Sequence, residues 1–269
     1  MMKLVLRLVL AITAMCVATG SAHAQSGCVF PPGDQVHPSV STVVSKVDSR
    51  FTYSYTLTVL PDSPKPVSLF WVGADSTDGT VTLNTPANWI GLKNRLGYYA
   101  WGSRAPRQGL PQGGTLAFGV TSNGLPSIVP FVARNFVESP SFPEGEAPDD
   151  CKGGTVLENS FKGSTVGPKA PPSTDRIQPV NYLISLLHDS RRLGWISTNG
   201  AHQDLLAKLV ATKRKIESND IPNARDQLQQ FLDQVVQRSC QTPNCNNRPL
   251  NTDAYAVLYY NGQNLMQRL

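Results

Sequence analysis

The chain has 269 residues, of which 40% are apolar and 16% charged, and its formal net charge is +5. This apolar content can support a packed core and excludes a mainly disordered protein. No apolar run reaches the roughly 18 residues that a membrane-spanning helix needs.

Residues 1–24 are predicted to be a secretory signal peptide. Lys3 and Arg7 form a basic start, an apolar stretch follows, and Ala22-His23-Ala24 is a small-x-small cleavage site. Without these two basic residues the net charge falls to +3, which gives no reason to expect nucleic-acid binding. We therefore expect a secreted or periplasmic protein with no integral membrane segment in its mature form.

The region 25–161 is predicted to be a β-domain. Only six of the chain's 42 glycines and prolines follow residue 179, and alternating apolar residues are clear in Phe51–Val59. Further strands are predicted at 67–72, 80–83, 98–101, 115–120 and 128–133. Because no helical pattern separates these strands, we expect an immunoglobulin-like antiparallel β-sandwich.

Four aromatic residues of this region are candidate ligand-binding residues. They are Trp89, Tyr98, Tyr99 and Trp101, close together in sequence and near predicted loops. Tyr and Trp provide large contact areas at low entropic cost. Core packing is the alternative, and Trp71 is assigned to the core.

Two acidic groups are candidate calcium ligands. They comprise Asp75 and Asp78, and then Glu144, Glu146, Asp149 and Asp150. Calcium needs several converging oxygen atoms, which such loops can supply. The alternatives are solvated loops or, for paired carboxylates, glycoside hydrolysis. No other cofactor is predicted.

A proline-rich linker is predicted over 162–179, and a small antiparallel helical bundle over 180–269. After the linker the apolar residues follow a helical period, which predicts four helices joined by short loops. The fold class is therefore multi-domain, an all-β domain followed by an all-α domain.

Several segments of the C-terminal third resemble the FIMAH-type helical domain. They are Leu193–Ile196, Leu205–Leu209, Lys215–Leu232 and Asn251–Leu258, within a region of about 177–269. The resemblance implies an exported bacterial protein and carries over no catalytic residue. The N-terminal segments 113–119 and 123–126 resemble uncharacterised sandwich domains of secreted proteins.

Cysteine usage agrees with export. Removal of Cys16 with the signal leaves Cys28, Cys151, Cys240 and Cys245, which allow three pairings. Their positions favour Cys28–Cys151 around the β-domain and Cys240–Cys245 between two helices. Zinc binding is the alternative, although a Cys-x4-Cys spacing without a nearby histidine is a poor zinc signature.

Motifs for catalysis are not found in the sequence. It has no Gly-x-Ser-x-Gly and no His-x-x-x-His, and the mature chain keeps only His37, His188 and His202. We therefore predict a non-catalytic binding or interaction protein, whose partner is a polysaccharide or a surface component. The alternatives are a hydrolase with a carboxylate or Ser/His site, and a structural or assembly component that binds another exported protein.

Overall fold

The computed structural model describes residues 33–74, 81–94, 97–137, 159–172, 175–242 and 247–269. The predicted signal peptide 1–24, Cys28, Cys151 and Cys245 lie outside these residues. Cys240 is buried and disulfide-bonded to a cysteine outside the described residues, so its pairing with Cys245 remains a prediction.

Nine strands lie in the described residues and form two antiparallel sheets. They are β1 (Pro38–Val47), β2 (Arg50–Val59), β3 (Leu69–Gly73), β4 (Thr82–Asn84), β5 (Trp89–Asn94), β6 (Tyr98–Ser103), β7 (Thr115–Ser122), β8 (Leu125–Arg134) and β9 (Phe161–Lys169). One sheet has the order β1-β2-β7-β4 and the other β5-β6-β3-β8-β9. The predicted strands are all present, whereas β1, β5 and β9 were not predicted.

The two sheets pack against each other through aromatic side chains. The alternation predicted in β2 is confirmed, because its inward-facing residues, including Tyr53, Tyr55 and Leu57, are buried. The Tyr55 ring on the first sheet lies 6.1 Å from Trp101 and 6.2 Å from Phe70 on the second, measured between ring centroids. These contacts form the centre of the core between the sheets.

Four helices follow in the described residues: α1 (Ile177–Arg192), α2 (Asn199–Glu217), α3 (Ile221–Arg238) and α4 (Thr252–Met266). The apolar stripe that predicts α3 is buried at Leu228, Phe231 and Leu232, among others. At the start of α4 the side chain of Asn251 accepts a hydrogen bond from the Ala254 N–H, which satisfies an otherwise unpaired helix donor.

The predicted linker 162–179 is wrong, because most of it is regular structure. Strand β9 begins at Phe161 and pairs antiparallel with β8, and α1 already starts at Ile177. In the sequence, Pro168 favours a linker over a strand. However, β9 is the last strand of its sheet, where a proline is tolerated although it lacks a backbone N–H donor. The side chains of Thr165 and Val166 are buried.

The helices are attached directly to the sheets through α4, which contacts β1, β8 and β9. The Tyr260 hydroxyl donates to the Val44 carbonyl at 3.1 Å, and the Asn261 side chain donates to the Pro126 carbonyl at 2.7 Å. The Tyr260 ring also packs edge-on against Phe51 at 5.2 Å. The buried apolar residues of the sheets and helices therefore form one connected cluster.

Candidate functional site

The predicted aromatic binding residues are mostly core residues. Trp89, Tyr99 and Trp101 are 7%, 1% and 0% exposed, so none of the three can offer a ring face to a ligand. Tyr99 and Trp101 alternate with outward-facing residues of β6, and Trp89 packs edge-on against Phe118 at 5.0 Å. The prediction is wrong for these three residues, because their strands direct them between the sheets. Tyr98 is half-buried.

Trp71 was assigned to the core but lies on the outer face of the five-stranded sheet. Its neighbours Phe70 and Val72 point into the core, so strand alternation turns Trp71 outward. The Trp71 ring is half-buried and lies 6.1 Å from the ring of Tyr98, between centroids. These two side chains are the aromatic part of the outer face.

A groove of about 490 Å³ runs across this outer face beside Trp71. Leu69 and Trp71 on β3 line one side, and Ile90 and Leu92 on β5 line the other. Between them β6 contributes Ala100, Trp101, Gly102 and Ser103 to the lining. Trp101 is fully buried beneath this face, whereas the small residues Ala100 and Gly102 face the groove and pair across the ladder with these larger neighbours. A strand with small side chains between two strands with large ones leaves a depression, which is how the groove forms.

The groove is chemically suited to an apolar ligand. Leu92 and Ile90 are 63% and 41% exposed, an unusual position for large aliphatic side chains that lie together on one surface. Lys93 and Ser103 are the polar residues of its lining. The sequence does not reveal this site, because β5 is not predicted to be a strand and its residues Ile90 and Leu92 give only a short alternating pattern.

The predicted calcium ligands cannot be placed. Asp75, Asp78, Glu144, Glu146, Asp149 and Asp150 lie outside the described residues. Within the described ranges no group of three or more His, Cys, Asp or Glu side chains converges as a metal site. The same ranges contain no helix that combines the length and the apolar composition required to cross a membrane.

Two histidines that are distant in sequence come together on α1 and α2. His202 Nε2 lies 3.1 Å from His188 Nδ1, and the side chain of Gln203 approaches His202 Nδ1 at 3.4 Å. Neither imidazole is hydrogen-bonded to a serine or a carboxylate in the described part of the chain, so the pair lacks the geometry of a Ser-His-Asp triad. Burial lowers the pKa of His202, and His188 and Arg191 lower it further.

We expect the His188–His202 pair to weaken the folded state in acid. Because the folded-state pKa of His202 lies below its ordinary value, protonation favours the unfolded chain. The stability contributed by neutral His202 is fully present above its ordinary pKa of 6.5. It is lost as the pH falls through that value towards the lower pKa of the folded state. The variant His202→Gln should show a smaller drop in melting temperature than the wild type between about pH 7.5 and pH 5.5. Equal drops in the two proteins would contradict this assignment.

Comparisons with known proteins leave the chain without a family. No family model and no curated protein matches it. An uncharacterised immunoglobulin-like protein from Nocardia farcinica is 10% identical, with a TM-score of 0.28, over 49% of this chain and 97% of that one. The Mu homology domain of Fcho1 from Danio rerio, solved with a bound Eps15 peptide, is 11% identical, with a TM-score of 0.24, over 36% of this chain and 38% of that one.

A third similar structure is the chitin-binding domain of a chitinase from Pyrococcus furiosus. It is 17% identical, with a TM-score of 0.23, over 39% of this chain and 89% of that one. All three TM-scores are too low for any of these proteins to support an argument about function.

Proposed function

We propose that this chain is an exported, non-catalytic interaction protein that binds an apolar segment of another exported protein. The observation that carries the proposal is the groove on the outer face of the five-stranded sheet. The aliphatic residues Leu69, Ile90 and Leu92 and the aromatic residue Trp71 form its sides. The small residues Ala100 and Gly102 lie between them. Burial of exposed apolar surface is the main driving force of protein association.

A protein partner suits this groove better than a polysaccharide. Sugar recognition requires several polar groups that accept and donate hydrogen bonds beside an aromatic ring. Here the larger exposed side chains of the lining are the aliphatic Leu69, Ile90 and Leu92 and the aromatic Trp71, because Trp101, the other aromatic residue of the lining, is fully buried. Burial of Trp89, Tyr99 and Trp101 removes three of the four rings on which the polysaccharide prediction depended. Lys93 is the one charged residue of this lining.

We propose that the two sheets form an immunoglobulin-like sandwich and that the helices form a FIMAH-type bundle attached to it. The pairings Cys28–Cys151 and Cys240–Cys245 and a secreted or periplasmic location belong to the same proposal. The signal-like start of the chain and the even number of cysteines that follow it support export. A hydrolase with a Ser/His or carboxylate site is the alternative.

The groove is tested by selecting phage-displayed peptides on the immobilised chain and measuring the affinity of one selected peptide by fluorescence anisotropy. Truncation of a central tryptophan costs about 2 kcal/mol or more, so Trp71→Ala should weaken binding about thirtyfold. Ile90→Ala should also weaken it. The matched control is Leu60→Ala, because Leu60 is 39% exposed, nearly as much as Ile90, and lies outside the groove.

Retention on immobilised polysaccharides is measured in parallel with the same variants. The proposal is supported if selected peptides are apolar, bind saturably and respond to Trp71→Ala but not to Leu60→Ala. Peptide affinity that is unchanged by Trp71→Ala and Ile90→Ala would contradict it. Retention on one polysaccharide that is abolished by Trp71→Ala would instead show that the groove binds sugar.

A further inference from the structure

A second pocket lies among the helices and shares no lining residue with the groove. It has a volume of about 390 Å³ and lies between α3 and α4, with Lys46 near the end of β1 also in its lining. The two helices approach closely at Gly262, where a Cβ atom would lie 2.7 Å from Leu232 Cδ2. The volume is within the range of about 300–1,000 Å³ that is usual for small-molecule sites.

Four of the nine lining residues have uncharged side chains that can both donate and accept hydrogen bonds, and the other five are the apolar Leu232, Val236 and Met266 and the charged Lys46 and Asp233. Gln229 lies on α3, Tyr259 and Gln263 lie on α4, and Gln267 directly follows the end of α4. Each carboxamide offers two N–H donors and an acceptor oxygen, and the tyrosine hydroxyl can take either role. A ligand with vicinal hydroxyl groups presents the same alternation of donors and acceptors.

These polar side chains are held in place by hydrogen bonds within the lining. Gln263 Nε2 donates to the Tyr259 hydroxyl at 2.8 Å, and Gln229 Nε2 donates to Asp233 Oδ1 at 2.8 Å. In the described part of the chain the Gln229 and Gln263 side chains make no other hydrogen bond, so their oxygens remain for a ligand. Side chains that are already oriented lose less entropy when a ligand binds.

Tyr259 gives the pocket a rigid aromatic ring. Tyr255 stacks on it at 5.0 Å with an interplanar angle of 15°, and Tyr260 packs edge-on at 5.5 Å. Tyr260 is itself bonded to the Val44 carbonyl of β1, so the aromatic group is anchored to the sheet. A fixed aromatic ring next to carboxamides can contact the C–H face of a sugar while its hydroxyls are hydrogen-bonded.

The charges of the lining exclude a polyanionic ligand. Lys46 is the cation and Asp233 the anion, so their formal charges cancel. Phosphate recognition uses several cationic donors, which this lining does not supply. A purely apolar ligand would desolvate the carboxamides without replacing their hydrogen bonds, which is unfavourable. We infer that this pocket binds a short neutral saccharide, independently of the proposed protein-binding groove.

The inference is tested by isothermal titration calorimetry of the full chain with five neutral probes: cellotriose, maltotriose, mannotriose, xylotriose and chitotriose. At least one probe should bind saturably at millimolar concentration or below. Gln263→Leu and Gln229→Leu, which keep side-chain size but remove the carboxamide, should each raise Kd at least tenfold. The matched control is Gln230→Leu, because Gln230 is exposed on α3 next to Gln229 but lies outside the lining of the pocket.

Two further variants separate the possible outcomes. Tyr259→Phe keeps the ring and removes the hydroxyl, so it should weaken binding while the melting temperature shows that the chain is folded. Trp71→Ala in the groove should leave the saccharide affinity unchanged. The inference is overturned if no probe binds, or if affinity survives Gln263→Leu, Gln229→Leu and Tyr259→Phe. It is also overturned if Trp71→Ala abolishes saccharide binding, in which case the sugar site is the groove.

Discussion

Replacement of Asp253 by asparagine is expected to stabilise the chain near pH 7. It should also make the free energy of unfolding less dependent on pH between about pH 4 and pH 7. Asp253 lies in the first turn of α4 and is buried where α4 meets β1. Its Oδ1 has no hydrogen-bond partner among the described residues. Burial raises the pKa of this carboxyl to about 7, although hydrogen bonds from Thr42 act in the opposite direction.

The sign of the effect follows from the two protonation states. In the unfolded chain the carboxyl has an ordinary pKa of 3.8, whereas in the folded chain it stays protonated up to about pH 7. Its contribution to stability is therefore complete below pH 3.8 and is lost as pH rises through about 7. Full loss corresponds to roughly 4 kcal/mol, at about 1.4 kcal/mol for each pH unit.

Urea unfolding at a series of pH values checks this prediction. The free energy of unfolding of Asp253→Asn should exceed that of the wild type at pH 7, and the two should converge towards pH 4. The control is Asp226→Asn at an exposed position of α3, where a surface change should alter stability by less than about 0.5 kcal/mol. His202 contributes a pH dependence of opposite sign to both proteins, so the difference between them isolates Asp253. Parallel curves for wild type and Asp253→Asn would refute the assignment.

The variant Trp101→Ala is expected to lose about 3–5 kcal/mol of stability, the usual cost of removing a large aromatic side chain from a core. The Trp101 ring is stacked on Phe70 at 5.6 Å and contacts Phe118 at 5.3 Å, again between centroids. Since it also contacts Tyr55, its removal leaves a cavity between the two sheets.

Comparison with Trp71→Ala makes this prediction specific. Trp71 is also a tryptophan and lies on β3, the strand paired with β6 in the same sheet. Because it is half-buried on the outer face, its truncation should cost much less stability. Urea unfolding of both variants measures the difference. A loss of ligand binding in Trp101→Ala would then reflect an unfolded domain rather than a lost contact. Equal stabilities for the two variants would show that Trp101 is not a core residue.

The sequence alone determined the elements whose periodicity is local. The alternation in Phe51–Val59 specifies both a strand and its buried face, because side chains of a strand point alternately to opposite sides. The apolar stripe with Leu228, Phe231 and Leu232 specifies α3 in the same way, since these residues share one helix face. The four helices and six of the strands were therefore predictable.

Tertiary structure decided the state of segments that have no such pattern. The segment Phe161–Lys169 contains glycine and proline and was predicted to be part of a linker, but its pairing with β8 makes it a strand. Its partner residues are 28 to 44 positions away in the chain, from the pair Ala133↔Phe161 to the pair Leu125↔Lys169. Strand formation there depends on a ladder that local propensity does not encode.

Tertiary structure also decided which aromatic residues face the surface. Trp71 and Trp101 both lie in apolar strands, and their local sequences do not distinguish the inner from the outer face. The ladder pairs Trp71 with Ala100, which places Trp71 outside and Trp101, the next residue of β6, inside. The groove exists because β5, β6 and β3 lie side by side in an order that is not the chain order. A binding surface assembled from three strands is thus a property of sheet topology, whereas the strands themselves are a property of the sequence.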